Sequence, residues 1–75
     1  MKFMNKNANL KEKFGKKLAY IRNTRNLSQM ELADKIDKSF NYISQIECGK
    51  ANLTMNMLIL LADALDIDAK ELFDF

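Results

Sequence analysis

The chain has 75 residues, of which 48% are hydrophobic and 29% are charged, a composition typical of one small folded domain. It has no histidine and a single cysteine, so it cannot assemble an ordinary zinc site, a disulfide framework or the common nucleophilic catalytic groups. The absence of proline and the presence of only two glycines favour helices over strands. We therefore predict an all-α protein that is not an enzyme and requires no cofactor and no metal.

Nothing in the sequence predicts a membrane partner. The longest uninterrupted apolar run, residues 57–62, is far shorter than the roughly 20 residues that a membrane span requires. The N-terminus is basic but has no apolar run of signal-peptide length. A lone cysteine, Cys48, also fits a reducing compartment, so we expect a cytoplasmic protein.

Charge is distributed unevenly along the chain, although the net charge is only +2. Residues 1–26 carry eight lysines and arginines against one glutamate, whereas residues 51–75 carry one lysine against five carboxylates. A basic first third suits a polyanion such as nucleic acid. A solvated helix face has the same composition, so charge alone leaves both interpretations open.

The first predicted helix follows a flexible tail of residues 1–8, and the folded domain is predicted to span residues 9–75. Asn9 with Glu12 resembles a capping box that opens this helix. We expect the helix to end near Arg25, because Asn26 tolerates the left-handed backbone of a helix cap. Its apolar positions repeat at spacings of four and three and share one face: Phe14, Leu18 and Ile21.

Two short helices are predicted next. Ser28 and Glu31 form an S-x-x-E capping box that opens the second helix, and Ser39 caps the third, predicted over residues 39–48. Asp37 occupies the break between them, and Gly49 is a stop signal. The predicted inward positions of the pair are Leu32, Ala33, Ile36, Ile43 and Ile46.

The fourth predicted helix opens at Thr54 and is apolar on every side over residues 57–62. We assign its core-facing stripe to Leu58, Leu61, Ala62 and Leu65. Asp68 and Glu71 form a further capping-box pattern and predict a short fifth helix.

The second and third helices have the pattern of a helix-turn-helix, in which one short helix supports another whose outer face stays uncovered. That outer face carries hydrogen-bonding groups and one phenyl ring but no charge. An amide can pair with the N6/N7 edge of adenine, and a phenyl ring can contact a thymine methyl group. The base-contacting residues that we predict are Phe40, Asn41, Ser44 and Gln45.

An ordered set of residues then matches a known family: Phe14, Leu18, Ile21, Arg22, Leu27, Ser28, Gln29, Leu32, Ala33, Tyr42, Ile43, Ser44, Ile46, Glu47, Gly49, Leu58, Leu61, Ala62, Ala64 and Leu65. On these residues the chain resembles the phage-repressor and Cro family, the lambda-repressor-like helix-turn-helix regulators. The resemblance implies a five-helix DNA-binding domain and a sequence-specific regulator of transcription. The run from Tyr42 to Gly49, followed by Asn52, is also similar to the small controller proteins of restriction–modification systems. In the turn between the second and third helices the family usually has a glycine, whereas this chain has Asp37.

The resemblance also implies roles for single residues. Ser28, Gln29, Ser39 and Lys50 are expected at the DNA backbone, with bracing of the third helix as the alternative for Gln29. Arg22 and Glu47 are expected to form a buried ion pair. Each of the two also lies beside a core residue, Ile21 or Ile46.

Plainer interpretations stay open for five side chains. Phe40 either contacts a base or packs back on its own domain. Gln29, Gln45 and Lys50 either contact DNA or lie in solvent. Tyr42 either belongs partly to the core or contacts a phosphate.

The apolar surplus of the fourth and fifth helices predicts a partner surface. In the family the partner is a second copy, so we predict a homodimer on a pseudo-palindromic operator of double-stranded DNA. The alternative is a protein-interaction module, an antitoxin or accessory factor that uses the same surface. The residues assigned to the surface are Met57, Leu60, Ile67 and Phe73.

Overall fold

Four α-helices and a short 3-10 helix follow one another in the computed structural model, which describes residues 7–75. Their bounds are α1 Leu10–Thr24, α2 Gln29–Lys35, α3 Phe40–Glu47, α4 Met55–Leu65 and the 3-10 helix Ala69–Phe73. The predicted all-α fold is confirmed, but the fifth helix is a 3-10 helix of five residues and not an α-helix. No helix within the described residues has the length and apolarity needed to cross a bilayer.

Side-chain caps start three of the α-helices where the sequence predicted them. The Ser28 hydroxyl accepts the backbone N–H of Glu31 at 3.0 Å, and the Glu31 carboxylate accepts the backbone N–H of Ser28 at 2.8 Å. Ser39 and Thr54 each accept the N–H three residues ahead, at 3.1 Å in both cases. These bonds satisfy backbone donors that a helix start leaves without partners.

The predicted capping box of α1 is wrong. Asn9 precedes the helix but makes no side-chain capping bond. Its backbone has ψ 15°, whereas the three residues that do cap are extended, with ψ between 153° and 165°. The extended conformation is the usual one at a capped helix start. Residues 1–6 of the predicted tail lie outside the described residues, and Asn7 and Ala8 belong to the turn before α1.

Each α-helix is followed by a residue with a positive φ angle. The angles are 59° at Asn26, 56° at Asp37, 76° at Gly49 and 57° at Asp66. Asp37 thus adopts the left-handed conformation at the position where the family usually has glycine. The N–H of Lys38 then donates to the carbonyl of Ala33 at 2.9 Å, which closes α2 and turns the chain into α3.

A close approach between α1 and α3 fixes the far end of α3. A Cβ atom at Gly15 would lie 2.5 Å from the carbonyl oxygen of Ile46 and 2.6 Å from that of Glu47. Only glycine therefore permits this approach, which explains a residue that is otherwise unfavourable inside a helix. The C-terminal turn of α3 is held directly against α1.

The core takes side chains from all five elements: Phe14, Leu18, Ile21, Leu32, Ala33, Ile36, Ile43, Ile46, Met57, Leu61, Ala62, Leu65 and Leu72. The prediction is corrected in α4. Met57 is only 8% exposed and belongs to the core, whereas Leu58 is half-buried. Met57 therefore cannot be part of a surface that binds a partner.

Candidate nucleic-acid interface

The helix-turn-helix consists of α2 and α3, joined through the left-handed turn at Asp37. Leu32 and Ala33 of α2 and Ile43 of α3 are almost completely buried. The small Ala33 side chain allows the two helices to cross closely. α3 is therefore supported along its inner side, and its outer side faces solvent.

The predicted base-contacting residues lie on the outer side of α3. Asn41 and Gln45 are exposed, Ser44 is half-buried, and the Phe40 side chain is 49% exposed. Phe40 therefore does not pack fully back on its own domain. No acidic residue lies in the first turn of α3, so this face repels no phosphate group.

Three of the residues expected at the DNA backbone surround this helix. Ser28 and Ser39 are exposed, and each hydroxyl oxygen already accepts a backbone N–H as a helix cap. The hydroxyl hydrogen of each can still be donated to a phosphate oxygen. Lys50 is also exposed, directly after the left-handed Gly49. These groups have the chemistry that phosphate contacts use.

Arg22 and Glu47, the two residues expected to pair, lie together beneath the C-terminal end of α3. Arg22 Nε donates to Glu47 Oε2 at 2.7 Å, and Arg22 Nη2 donates to Glu47 Oε1 at 3.0 Å. Their side chains are only 11% and 7% exposed. The hydrogen bond to Glu47 raises the pKa of Arg22 above its ordinary value, so the guanidinium stays charged.

Gln29 joins the same carboxylate. Its side-chain Nε2 donates to Glu47 Oε1 at 2.8 Å, so Gln29, the first residue of α2, is tied to the last residue of α3. This contact is the bracing role that the resemblance left open for Gln29. The two partners are 18 residues apart in the sequence, so no local sequence pattern predicts the contact.

Exposed apolar side chains also lie on α4 and the C-terminal segment. Leu60 is 40% exposed and Ile59 is 53% exposed, while Ile67 is half-buried. Phe73 packs against Phe14 with 5.2 Å between the ring centroids, yet it remains accessible on its other side. Of the four residues assigned to the partner surface, all but Met57 are therefore accessible. Ile59 adds to the surface.

Residues 18–72 match the helix-turn-helix family. The chain belongs to that family. It is 37% identical to the control protein C.BamHI of Bacillus amyloliquefaciens over 68 residues, which cover 89% of this chain and 84% of that protein.

Solved structures agree with this family assignment. The restriction–modification controller protein C.AhdI from Aeromonas hydrophila superposes with a TM-score of 0.80 at 37% identity, covering 83% of this chain and 94% of that one. The wild-type controller protein C.Esp1396I gives a TM-score of 0.78 at 31% identity, covering 87% and 86%. The predicted family is confirmed. The chain is a DNA-binding regulator of transcription and not an enzyme, which favours this function over the interaction module.

Proposed function

We propose that the protein binds a pseudo-palindromic operator as a homodimer, with α3 of each copy in the major groove. The observation that carries this proposal is the outer side of α3, where Asn41 and Gln45 are exposed while Ile43 and Ile46 on the inner side are buried. An exposed amide pair on a well-supported short helix suits direct contact with base edges. Phe40 and Ser44 complete the base-contacting set.

Ser28, Ser39 and Lys50 bind the DNA backbone in this proposal. Hydrogen bonds to phosphate orient a protein on the duplex without selecting a sequence. The eight lysines and arginines of residues 1–26 add a long-range attraction for DNA that weakens as salt concentration rises. Binding strength and base selection therefore reside mainly in different side chains.

The second copy binds through the apolar side chains of Ile59, Leu60, Ile67 and Phe73. Met57 is not among them, because it is buried in the core. A surface of this kind on a small domain usually marks an interface. Complete burial of an exposed apolar side chain contributes about 1.5–3 kcal/mol before the costs of association, and these four contribute less because each is already partly covered. A two-fold axis is the commonest arrangement of such pairs, and it sets two recognition helices about 34 Å apart, one turn of DNA.

The biological role is proposed from the relatives. C.BamHI is described as a control protein and C.AhdI as a restriction–modification controller, and on that likeness we propose the same role for this chain. We propose the cytoplasm as the site of action.

Selection of bound sequences from random DNA with the purified protein tests this proposal. We expect a two-fold symmetric sequence with two half-sites about one helical turn apart. Recovery of a single asymmetric half-site, or of no preferred sequence at all, contradicts the proposal.

A further inference from the structure

One carboxylate joins three helices behind the DNA-binding surface. Glu47, the last residue of α3, accepts hydrogen bonds from Arg22 of α1 through both oxygens and from Gln29 of α2 through Oε1. Arg22 is also bound through Nη1 to the carbonyl of Leu27 at 2.8 Å, in the segment that leads into α2. The carboxylate of Glu47 thus links the end of α3 directly to the first residue of α2 and, through Arg22, to the segment before α2.

The charge of Glu47 is already balanced without Gln29. Arg22 binds it with two N–H groups, one to each carboxylate oxygen. Gln29 is half-buried, so its amide could be hydrated instead of bound to Glu47. Ordering its side chain instead costs conformational entropy, so the contact with Glu47 is not explained by the needs of the ion pair.

The hydrogen bond determines the orientation of the Gln29 amide. An amide nitrogen has two hydrogens, and Glu47 engages one of them, which leaves the other hydrogen and the amide oxygen in defined directions. Glu47 is itself held in place, because Gly15 brings α1 within contact of the Ile46 and Glu47 backbone. The free N–H of Gln29 therefore moves with α3 and not independently of it.

We propose that Glu47 is a positioning residue for DNA binding, which holds Gln29 so that its second amide N–H binds a DNA phosphate in register with the base contacts of α3. The inference rests on the proposed DNA contacts of Gln29 and α3. A side chain held in its bound orientation loses less entropy on binding than a mobile one. The benefit of the Gln29 contact therefore depends on the presence of Glu47.

A thermodynamic cycle tests this dependence. Arg22→Met with Glu47→Met removes the charged pair without leaving one charge buried alone, a change that folded proteins often tolerate. Gln29→Ala is then measured in the parent chain and in this double variant, by titration of the selected operator and of random DNA at one salt concentration. Melting curves establish that each variant is folded at the temperature of the titration.

We expect Gln29→Ala to weaken operator binding about tenfold in the parent chain, as befits one hydrogen bond to a charged group. In the double variant we expect a loss of about twofold or less, because Gln29 is no longer oriented there. An equal loss in both backgrounds overturns the proposal, and so does the absence of any loss in the parent chain. Either result leaves the proposed function standing as long as the parent chain still prefers the operator over random DNA. Loss of that preference in the parent chain itself overturns the proposed function.

A second measurement needs no variant of the ion pair. In spectra of the 15N-labelled parent chain, the two side-chain amide protons of Gln29 are expected to respond differently to operator DNA. The chemical shift of the proton bound to Glu47 stays nearly constant, while that of the other proton changes when it contacts the phosphate. Equal responses of the two protons contradict the proposal.

Discussion

The outer side of α3 and the exposed side of α4 with the 3-10 helix are both accessible, but they differ in chemistry. The first presents amides and a hydroxyl, at Asn41, Ser44 and Gln45, beside a single phenyl ring, whereas the second presents the aliphatic side chains of Ile59 and Leu60. A polar surface remains hydrated and stable until a ligand arrives, while an apolar surface gains free energy when it is covered. We therefore expect the α4 surface to be covered by a second copy before the protein meets DNA.

The support behind the two surfaces differs in the same way. Beneath the end of α3, Arg22, Gln29 and Glu47 form directional hydrogen bonds that fix an orientation. Beneath α4 the support is the apolar core, through Met57, Leu61 and other buried residues. The oriented polar support suits the proposed role of α3 at base edges, and the apolar support suits the proposed interface on α4.

Among the substitutions that test the two surfaces, Leu60→Glu is expected to have the largest effect on dimerisation and operator binding. It removes part of the about 1.5–3 kcal/mol that complete burial of such a side chain contributes, since Leu60 is only 40% exposed within one copy, and it places a carboxylate in each half of the interface. We expect a folded monomer in sedimentation and sharply weaker operator binding.

Met30→Glu is the matched control for the sedimentation measurement, because Met30 is an exposed apolar residue on α2. This variant is expected to sediment like the parent chain. A Leu60→Glu protein that remains a dimer contradicts the assignment of the interface to α4.

Glu47→Gln tests the polar support of α3. It leaves the Arg22 guanidinium without its counter-ion, and loss of one partner of a buried pair costs about 3–5 kcal/mol. We expect a fall in melting temperature of more than about 10 °C for a domain of this size. Asp34→Asn, which neutralises an exposed carboxylate on α2, is the control and should change stability little. Melting of Glu47→Gln within a degree or two of the parent would show that the ion pair contributes nothing.

Alanine substitutions separate base contacts from phosphate contacts on the polar surface. Asn41→Ala and Gln45→Ala should each weaken operator binding by about 1–3 kcal/mol and leave random DNA little affected. Lys50→Ala should weaken binding to both DNAs alike and lower the slope of log affinity against log salt by about one. Parallel titrations at several salt concentrations distinguish these patterns. Equal losses on both DNAs for all three variants would remove the base-contacting role of α3.

The smallest expected effect concerns the start of α2. The backbone N–H of Ser28 donates to the Glu31 carboxylate, and this bond lowers the pKa of Glu31 below its ordinary value. A lowered pKa stabilises the folded state above the unfolded pKa of about 4.3, and the contribution is lost as the pH falls through the folded value. Glu31→Gln should therefore be less stable than the parent at neutral pH, with the difference shrinking in acid. A difference that is constant between pH 7 and pH 3 contradicts this assignment.

Local signals in the sequence predicted most of the helix ends correctly. Ser28, Ser39 and Thr54 cap the helices that they were expected to cap, and Asn26 adopts the expected left-handed conformation. Such features depend on a few neighbouring residues and on backbone sterics, so the sequence carries them directly. Asn9 is the exception, since the same residue type gives no cap when the backbone before the helix is not extended.

Other features depend on packing and could not be predicted from the sequence. Residues 57–62 are apolar on every side of α4, so periodicity could not show that Met57 faces the core and Ile59 faces solvent. The contact of Gln29 with Glu47 joins residues 18 positions apart and depends on the crossing of α2 and α3. The sequence predicted which polar side chains lie on the outer side of α3, but not the hydrogen bond between Gln29 and Glu47.

The central claim is that two copies present two α3 helices to one operator. Titration of the full operator and of a duplex with a single half-site, at one salt concentration, tests it most directly. We expect the full operator to bind at least about a hundredfold more tightly than the half-site, because the second contact forms within a dimer that is already bound. Equal affinity for the two duplexes would contradict the dimeric mechanism.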